Sequence, residues 1–235
     1  MADMGIVPGV ELTVLQRGGG PMLIAVGDTR RLGQERGPRA ASHRGRRSRQ
    51  RRRRATTPGA SVMDLPVIAL AGNPNVGKST LFNLLTGGRQ HTSNWTGTTV
   101  ACAHAVAPLD GQRVMLVDLP GVYSLNPYSD EESATRDFLL HERVDLLVNV
   151  VDAANLERNL YLTTQLLETG LPLVVLLNKT DVAAQRGLRL DTAALHAALG
   201  VPVMSSTATG AADLPALTRW LARQIAVLPA PEVSA

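Results

Sequence analysis

Aromatic residues, cysteine and long apolar runs are all scarce in this chain. Phe, Trp and Tyr make up 3% of its 235 residues, so a core must be built from Leu, Val, Ile and Ala. The single thiol, Cys102, excludes an intramolecular disulfide framework and any metal site made of clustered cysteines. Apolar stretches such as Leu171–Leu177 fall far short of the roughly 18 residues that a membrane-spanning helix needs. No basic segment followed by an apolar one opens the chain, so no secretory signal is visible and the expected compartment is the cytoplasm. Lysine is confined to two positions, Lys78 and Lys179.

What is present is an ordinary globular body with an unusual leader. Apolar residues are 44% and charged residues 19% of the chain, enough for a buried core in one or two domains. The net charge of +4 is unevenly spread. Residues 1–60 hold 13 arginines against four acidic residues, a balance of +9, and the remainder is −5. Residues 1–32 alternate weakly around Gly18-Gly19-Gly20 and read as a short β-leader with a hairpin loop. In 33–63, eight of the eleven residues from Arg44 to Arg54 are arginine. Like charges at that density cannot bury themselves, so this reads as a disordered linker. It lacks interleaved aromatics and any RNA-binding module, so no specific nucleic acid is expected. Residues 64–228 form the expected main domain, and 229–235 a flexible tail.

From Pro66 onward short apolar runs alternate with helical periodicity. The runs are Val67–Ala71, Val114–Val117, Leu146–Val151, Leu173–Leu177 and Val201–Met204. Between them Leu81/Leu84/Leu85, Leu156/Leu160, Leu195/Leu199 and Leu217/Leu221/Ile225 recur at helical spacing. Strands buried on both faces that alternate with helices predict an α/β fold with a mostly parallel sheet of six to seven strands sandwiched by helices.

Three motifs carry chemistry. Gly72-Asn73-Pro74-Asn75-Val76-Gly77-Lys78-Ser79 is G-x4-G-K-S between a strand and a helix that includes Thr80. That is the setting in which backbone N–H groups and a helix dipole face phosphate, making this a P-loop NTPase fold. Lys78 is expected to reach the β- and γ-phosphates, and the Ser79 hydroxyl to hold Mg²⁺. Asp118-Leu119-Pro120-Gly121 closes the second strand, where Asp118 would hold Mg²⁺ through water and the Gly121 N–H would meet γ-phosphate. Asn178-Lys179-Thr180-Asp181 closes another strand. The Asp181 carboxylate can accept from guanine N1 and the 2-amino group, a donor pair that adenine lacks. Asn178 would tie this loop to the phosphate loop, and the Lys179 stem would cover the base. The motifs stand in order, 39 residues from Ser79 to Asp118 and 60 from Asp118 to Asn178. GTP and GDP are therefore the expected ligands.

The strings "GNPNVGKSTLFN" (Gly72–Asn83), "LTGGRQHTSNWTGTTV" (Leu85–Val100), "DLPGVYSLNPYSDEE" (Asp118–Glu132) and "VVDAANLERNLYLTTQLLETGLP" (Val150–Pro172) resemble the G domain of the FeoB ferrous-iron transporters. The leader "MGIVPGVELTVLQRGGGPMLIAV" is similar to the later half of FeoA, a small SH3-like protein. The FeoB resemblance implies a GTP-hydrolysing switch that regulates or drives ferrous-iron transport with a membrane domain absent here. Thr99 matches the switch I threonine that meets Mg²⁺ and γ-phosphate, so Lys78, Thr99 and Gly121 are the implied catalytic set. Asn75 matches an asparagine associated with K⁺, to which the backbone of Ser93 and Trp95 would add oxygen ligands. Val122 stands where Ras-like enzymes carry a water-orienting Gln, so slow hydrolysis is expected. Glu131 and Glu132 match an acidic pair with a structural role. Thr207-Ala208-Thr209 matches the loop that backs guanine through its main chain.

The chain departs from that family's pattern at Ser93, Thr96 and Thr98 in switch I. It also has Asn178-Lys179 where FeoB chains usually have Asn-Met. Expected partners are a FeoB-type membrane domain or separate membrane chain at the inner face of the cell membrane, and a FeoA-like protein. Nucleotide-dependent self-association is a further expectation. The chain reads as either a truncated gene product or a stand-alone subunit. Two alternatives remain at this level: an RNA- or ribosome-associated GTPase with a basic arm, and a non-catalytic GTP-binding fragment. Cys102-Ala103-His104, His91 and His141 are read as structural or solvated, because two ligands on one strand are too few for a metal.

Overall fold

The computed structural model describes residues 65–88, 91–94, 101–206 and 213–227, and the backbone alone at 12–14, 24–26, 91–94 and 101. In the leader, β1 (Leu12–Val14) and β2 (Ile24–Val26) pair antiparallel. This is the hairpin that the glycine triplet predicts. The expected linker at 33–63 and the tail at 229–235 lie outside the described residues.

The main body is a seven-stranded sheet in the order β4-β5-β6-β3-β7-β8-β9. Its strands are β3 (Val67–Ala71), β4 (His91–Asn94), β5 (Ala101–Leu109), β6 (Gln112–Asp118), β7 (Leu146–Asp152), β8 (Leu173–Asn178) and β9 (Val203–Ser205). The pairs from β6 through β3, β7 and β8 to β9 are parallel. Those of β4 with β5 and β5 with β6 are antiparallel. This is the expected mixed, mostly parallel sheet. Every residue of β7 and β8 is buried, as a central strand covered on both faces requires.

Among the described residues six helices complete the body: α1 (Lys78–Thr86), α2 (Asp130–His141), α3 (Leu156–Glu168), α4 (Thr180–Gln185), α5 (Thr192–Leu199) and α6 (Leu214–Val227). A 3-10 turn at Ala153–Asn155 leads into α3. The chain has two phenylalanines, and each anchors one face of the sheet. Phe82 of α1 packs with Leu217, Leu221 and Ile225 of α6 against Leu70, Leu116 and Val148. Phe138 of α2 packs with Leu162 and Leu166 of α3 against Ala69, Val117 and Leu147. A smaller cluster seats Ala183 of α4 and Leu195 of α5 on Val151, Val175 and Leu177.

Two features go beyond the sequence reading. The first is the β5–β6 hairpin, turned by Asp110 and Gly111, both at positive φ (47° and 84°). Asp-Gly is the residue pair that a two-residue hairpin turn of the favoured hand demands. The second is α2. Its cap, Ser129, accepts from the Glu132 N–H at 3.1 Å. Asp130, Glu131 and Glu132 fill its first turn, where carboxylates complement the helix dipole.

Because the central strands are parallel, the residues that follow β3, β6, β7 and β8 all emerge at one edge of the sheet. There the sequence places Gly72, Asp118, Asp152 and Asn178.

Candidate functional site

The loop from Gly72 to Gly77 runs from the end of β3 into α1 and forms the floor of a cleft of about 510 Å³. Asn73, Pro74, Asn75, Gly77, Lys78, Ser79 and Thr80 line it, with Gly121, Asn178 and Lys179 opposite. Gly77 precedes α1 at φ 93°, a left-handed conformation. A Cβ there would stand 2.3 Å from the Asn178 side-chain amide. Glycine at this position therefore serves both backbone geometry and close approach.

Lys78 and Ser79 open α1, and their side chains meet Asp118 at the end of β6. The Lys78 ammonium is 2.8 Å from Asp118 Oδ1, and the Ser79 hydroxyl donates to Oδ2 at 2.8 Å. Both members of the ion pair are about nine-tenths buried. The backbone after Asp118 is tied to the loop floor. Leu119 N–H donates to the Leu70 carbonyl at 3.1 Å, and Val122 N–H to that of Gly72 at 3.2 Å. A Cβ on Gly121 would lie 3.0 Å from Pro74 Cα. Val122 itself is buried in the core. Cys102, on the neighbouring strand, is buried too. Burial pushes its thiol pKa up, the nearby Asp118 charge adds to that, and Lys78 opposes it.

The third motif closes the cleft. Asn178 donates through Nδ2 to the Val76 carbonyl at 2.7 Å and accepts the Lys179 N–H at 2.8 Å. Lys179, at φ 58°, reaches back to the phosphate loop, where its ammonium donates to the Asn75 carbonyl at 2.6 Å. The same ammonium is 3.0 Å from Asp152 Oδ2. Asp181 stands exposed in the first turn of α4 and is not among the cleft-lining residues. The Thr180 hydroxyl donates to the Ser206 carbonyl at 3.5 Å, the outer limit of a hydrogen bond.

The structure thus lines one cleft with residues 73–75, 77–80, Gly121, Asn178 and Lys179 and joins Asp118 to it through Lys78 and Ser79, whereas Val76 and Leu119 are buried in the core. Ser93 lies in the edge strand β4, opposite Cys102 in register. Thr99, Trp95, Thr207, Ala208 and Thr209 lie outside the described residues. Among the described residues no cluster of three or more His, Cys, Asp or Glu forms a metal-binding group. No described helix is long and apolar enough to cross a membrane.

Asp152 is the site residue that motif reading missed. It ends an apolar run, as Asp118 does, and that shared position was the available signal. Burial raises its pKa. That effect is outweighed by hydrogen bonds from Lys179, Asn155 and the Ala154 N–H, so the carboxyl titrates below its usual range. A carboxylate depressed in the folded state stabilises the fold fully above its unfolded pKa, and this contribution is lost as pH falls through the folded value. Asp152→Asn should therefore melt at a lower temperature than the parent at pH 7. The gap should close progressively below the ordinary carboxylate pKa of 3.8. Thermal melts from pH 7 to pH 3 check this.

Comparison with known proteins places this geometry. The family model described as "Ferrous iron transport protein B" matches residues 66–221, and a FeoA domain model matches residues 1–35. The Fe(2+) transporter FeoB of Escherichia coli K12 is 48% identical over 154 residues, covering 64% of this chain and 20% of that protein. The chain thus spans about one fifth of the length of the curated relatives it matches. The solved FeoB G-domain from Methanococcus jannaschii is 42% identical with a TM-score of 0.60, covering 68% of this chain and 97% of that one. A GDP-bound mutant of the S. thermophilus FeoB G-domain is 42% identical with a TM-score of 0.63, covering 73% and 64%.

Proposed function

Because the chain belongs to the ferrous iron transport protein B family, whose model spans residues 66–221, we propose that residues 64–228 are its GTP-binding and GTP-hydrolysing switch. This switch acts on ferrous-iron transport through a membrane domain. The observation that carries the reading is the convergence of Lys78, Ser79, Asp118, Asn178 and Lys179 on one cleft at the head of α1. The solved GDP-bound relative supports guanine as the base.

In this reading the N–H groups of residues 75–79 and the α1 dipole hold the phosphates, and Lys78 turns from Asp118 to the β- and γ-phosphates. The donor set suits Mg²⁺: Ser79 Oγ and Asp118 Oδ2 are hard oxygen donors already 2.8 Å apart. Mg²⁺, bound with the nucleotide, supplies neutralisation of charge developing on the β- and γ-oxygens. Thr99 from switch I and the Gly121 N–H complete the γ-phosphate contacts. Thr207–Thr209 back the base, and Asp181 reads its edge. Buried Val122 orients no water, so intrinsic hydrolysis is slow.

Asn75, exposed at the rim, with main-chain oxygens of Ser93 and Trp95, would hold K⁺. Turnover of GTP should be at least about tenfold faster in KCl than in NaCl at equal ionic strength, a charge-stabilising effect of the usual size or smaller. Asn75→Ala should abolish that difference while sparing affinity. Equal rates in both salts for the parent chain would remove K⁺ from the account.

The domain works at the inner face of the cell membrane, beside its membrane partner. The FeoA-like leader provides contact with that assembly, and nucleotide-dependent self-association accompanies the switch.

A further inference from the structure

The segment after Gly121 is held at two ends. At one end Leu119 and Val122 donate to the main chain of β3 and the phosphate loop. At the other it lies on α3, whose Arg158, Tyr161 and Gln165 fall at helical spacing on one face. Gln165 accepts the Leu125 N–H at 2.8 Å. Its amide donates to the Ser124 hydroxyl and to the Tyr161 hydroxyl, each at 3.4 Å. The Arg158 guanidinium sits 4.2 Å over the Tyr123 ring, a cation–π distance. Beneath these contacts α3 is fixed to the sheet by Leu162 and Leu166, both fully buried.

We propose that Gln165 is a positioning residue for GTP hydrolysis: by holding Ser124 and Leu125 on α3 it keeps Gly121 against the phosphate loop, where its N–H meets the γ-phosphate. The inference rests on the nucleotide reading given above. It follows from chain length. Only Val122, Tyr123 and Ser124 separate Gly121 from the latched Leu125 N–H, so the latch braces the far side of a turn whose near side is held by the Leu119 and Val122 N–H groups. Among the described residues, Gln165 is the side chain of α3 that binds the main chain of this turn. The contact is selective for nucleotide state, because Gly121 has nothing to meet on a diphosphate.

The test uses the full chain and two variants, Gln165→Ala and Gln165→Glu. The glutamate keeps an acceptor for the Leu125 N–H and loses the two longer donor contacts. It also serves if the alanine variant folds poorly. Affinities for GDP and for a non-hydrolysable GTP analogue are measured with single-turnover hydrolysis and melting temperature. Gln165→Ala should bind GDP within about twofold of the parent, yet lose about fivefold in both analogue affinity and hydrolysis rate, the worth of one net hydrogen bond. Gln165→Glu should recover most of that loss. An unchanged ratio of analogue to GDP affinity together with an unchanged rate overturns the proposal. So does an equal loss for both nucleotides that tracks the melting temperature, which would make Gln165 merely structural. A parent chain that binds neither nucleotide overturns this inference and the nucleotide reading together.

Discussion

Lys78→Ala should leave the chain folded and cost it about a hundredfold or more in affinity for GTP, because charge-assisted contacts to the β- and γ-phosphates are lost together. Lys78 is the one lysine in the phosphate loop, and its ammonium lies 2.8 Å from Asp118. That pair satisfies two groups that are each about nine-tenths buried. Removing the lysine leaves Asp118 with the Ser79 hydroxyl. The buried carboxylate then meets incoming phosphate as a like charge with Mg²⁺ alone between them, and triphosphate should suffer more than diphosphate. A titration of GTP and GDP against parent and variant, with circular dichroism melts beside it, separates lost binding from lost folding. A variant that melts like the parent and binds GTP as tightly would show that the cleft is not the phosphate site.

The second large effect concerns the base. Asp181→Asn should invert selectivity from guanine to xanthine, a swing of about a thousandfold in the ratio of the two affinities. A swing of that size is what two charge-assisted hydrogen bonds at about 2 kcal/mol each predict. In the proposed reading the carboxylate accepts two hydrogen bonds, from guanine N1–H and the 2-amino group. An amide in its place offers one donor and meets the extra carbonyl of xanthine. Asp181 is exposed in the first turn of α4. Its loss should therefore cost the fold no more than about 1 kcal/mol of dipole stabilisation. Parallel titrations of GDP and xanthosine diphosphate against parent and variant give the swing directly.

The parts of this molecule that were legible in sequence share one physical cause. Strands buried on both faces must be continuously apolar, so Val67–Ala71, Leu146–Val151 and Leu173–Leu177 announce themselves, and the polar residues that end them stand out. Asp118 and Asn178 were found in this way. Asp152 could have been, since it ends the Leu146–Val151 run by the same rule. Other elements carried no such signal. Strand β5 alternates, but its core-facing positions include Ala105 and Ala107, too small to mark a hydrophobic face. Strand β4 is His-Thr-Ser-Asn, a run with no apolar residue to announce it, and it is defined by its pairing with β5. The Asp110-Gly111 turn was the one local clue to that hairpin.

Contacts between distant residues were the least visible. Gln165 and Leu125 stand 40 residues apart, and an exposed-looking glutamine on a helix gives no sign that it receives a main-chain N–H. Lys179 binds a carbonyl 104 residues away. Reading the motif gave its approach to the nucleotide loop only as cover for the base. The structure adds an ammonium that joins the Asn75 carbonyl to Asp152, so the loop at Asn178 and the loop at Gly72–Gly77 form one polar unit. The FeoA-like leader shows a β1–β2 hairpin where alternation was read. The basic stretch that follows lies outside the described residues.

The most direct test of the central claim is a calorimetric titration of the purified chain with GDP and, separately, with ADP, in Mg²⁺. The account predicts one saturable GDP site per chain, lost in Gly77→Ala, where a methyl group would displace Asn178. It predicts no measurable ADP binding. Equal binding of both nucleotides, or GDP binding that survives Gly77→Ala unchanged, would contradict a guanine-nucleotide site in this cleft.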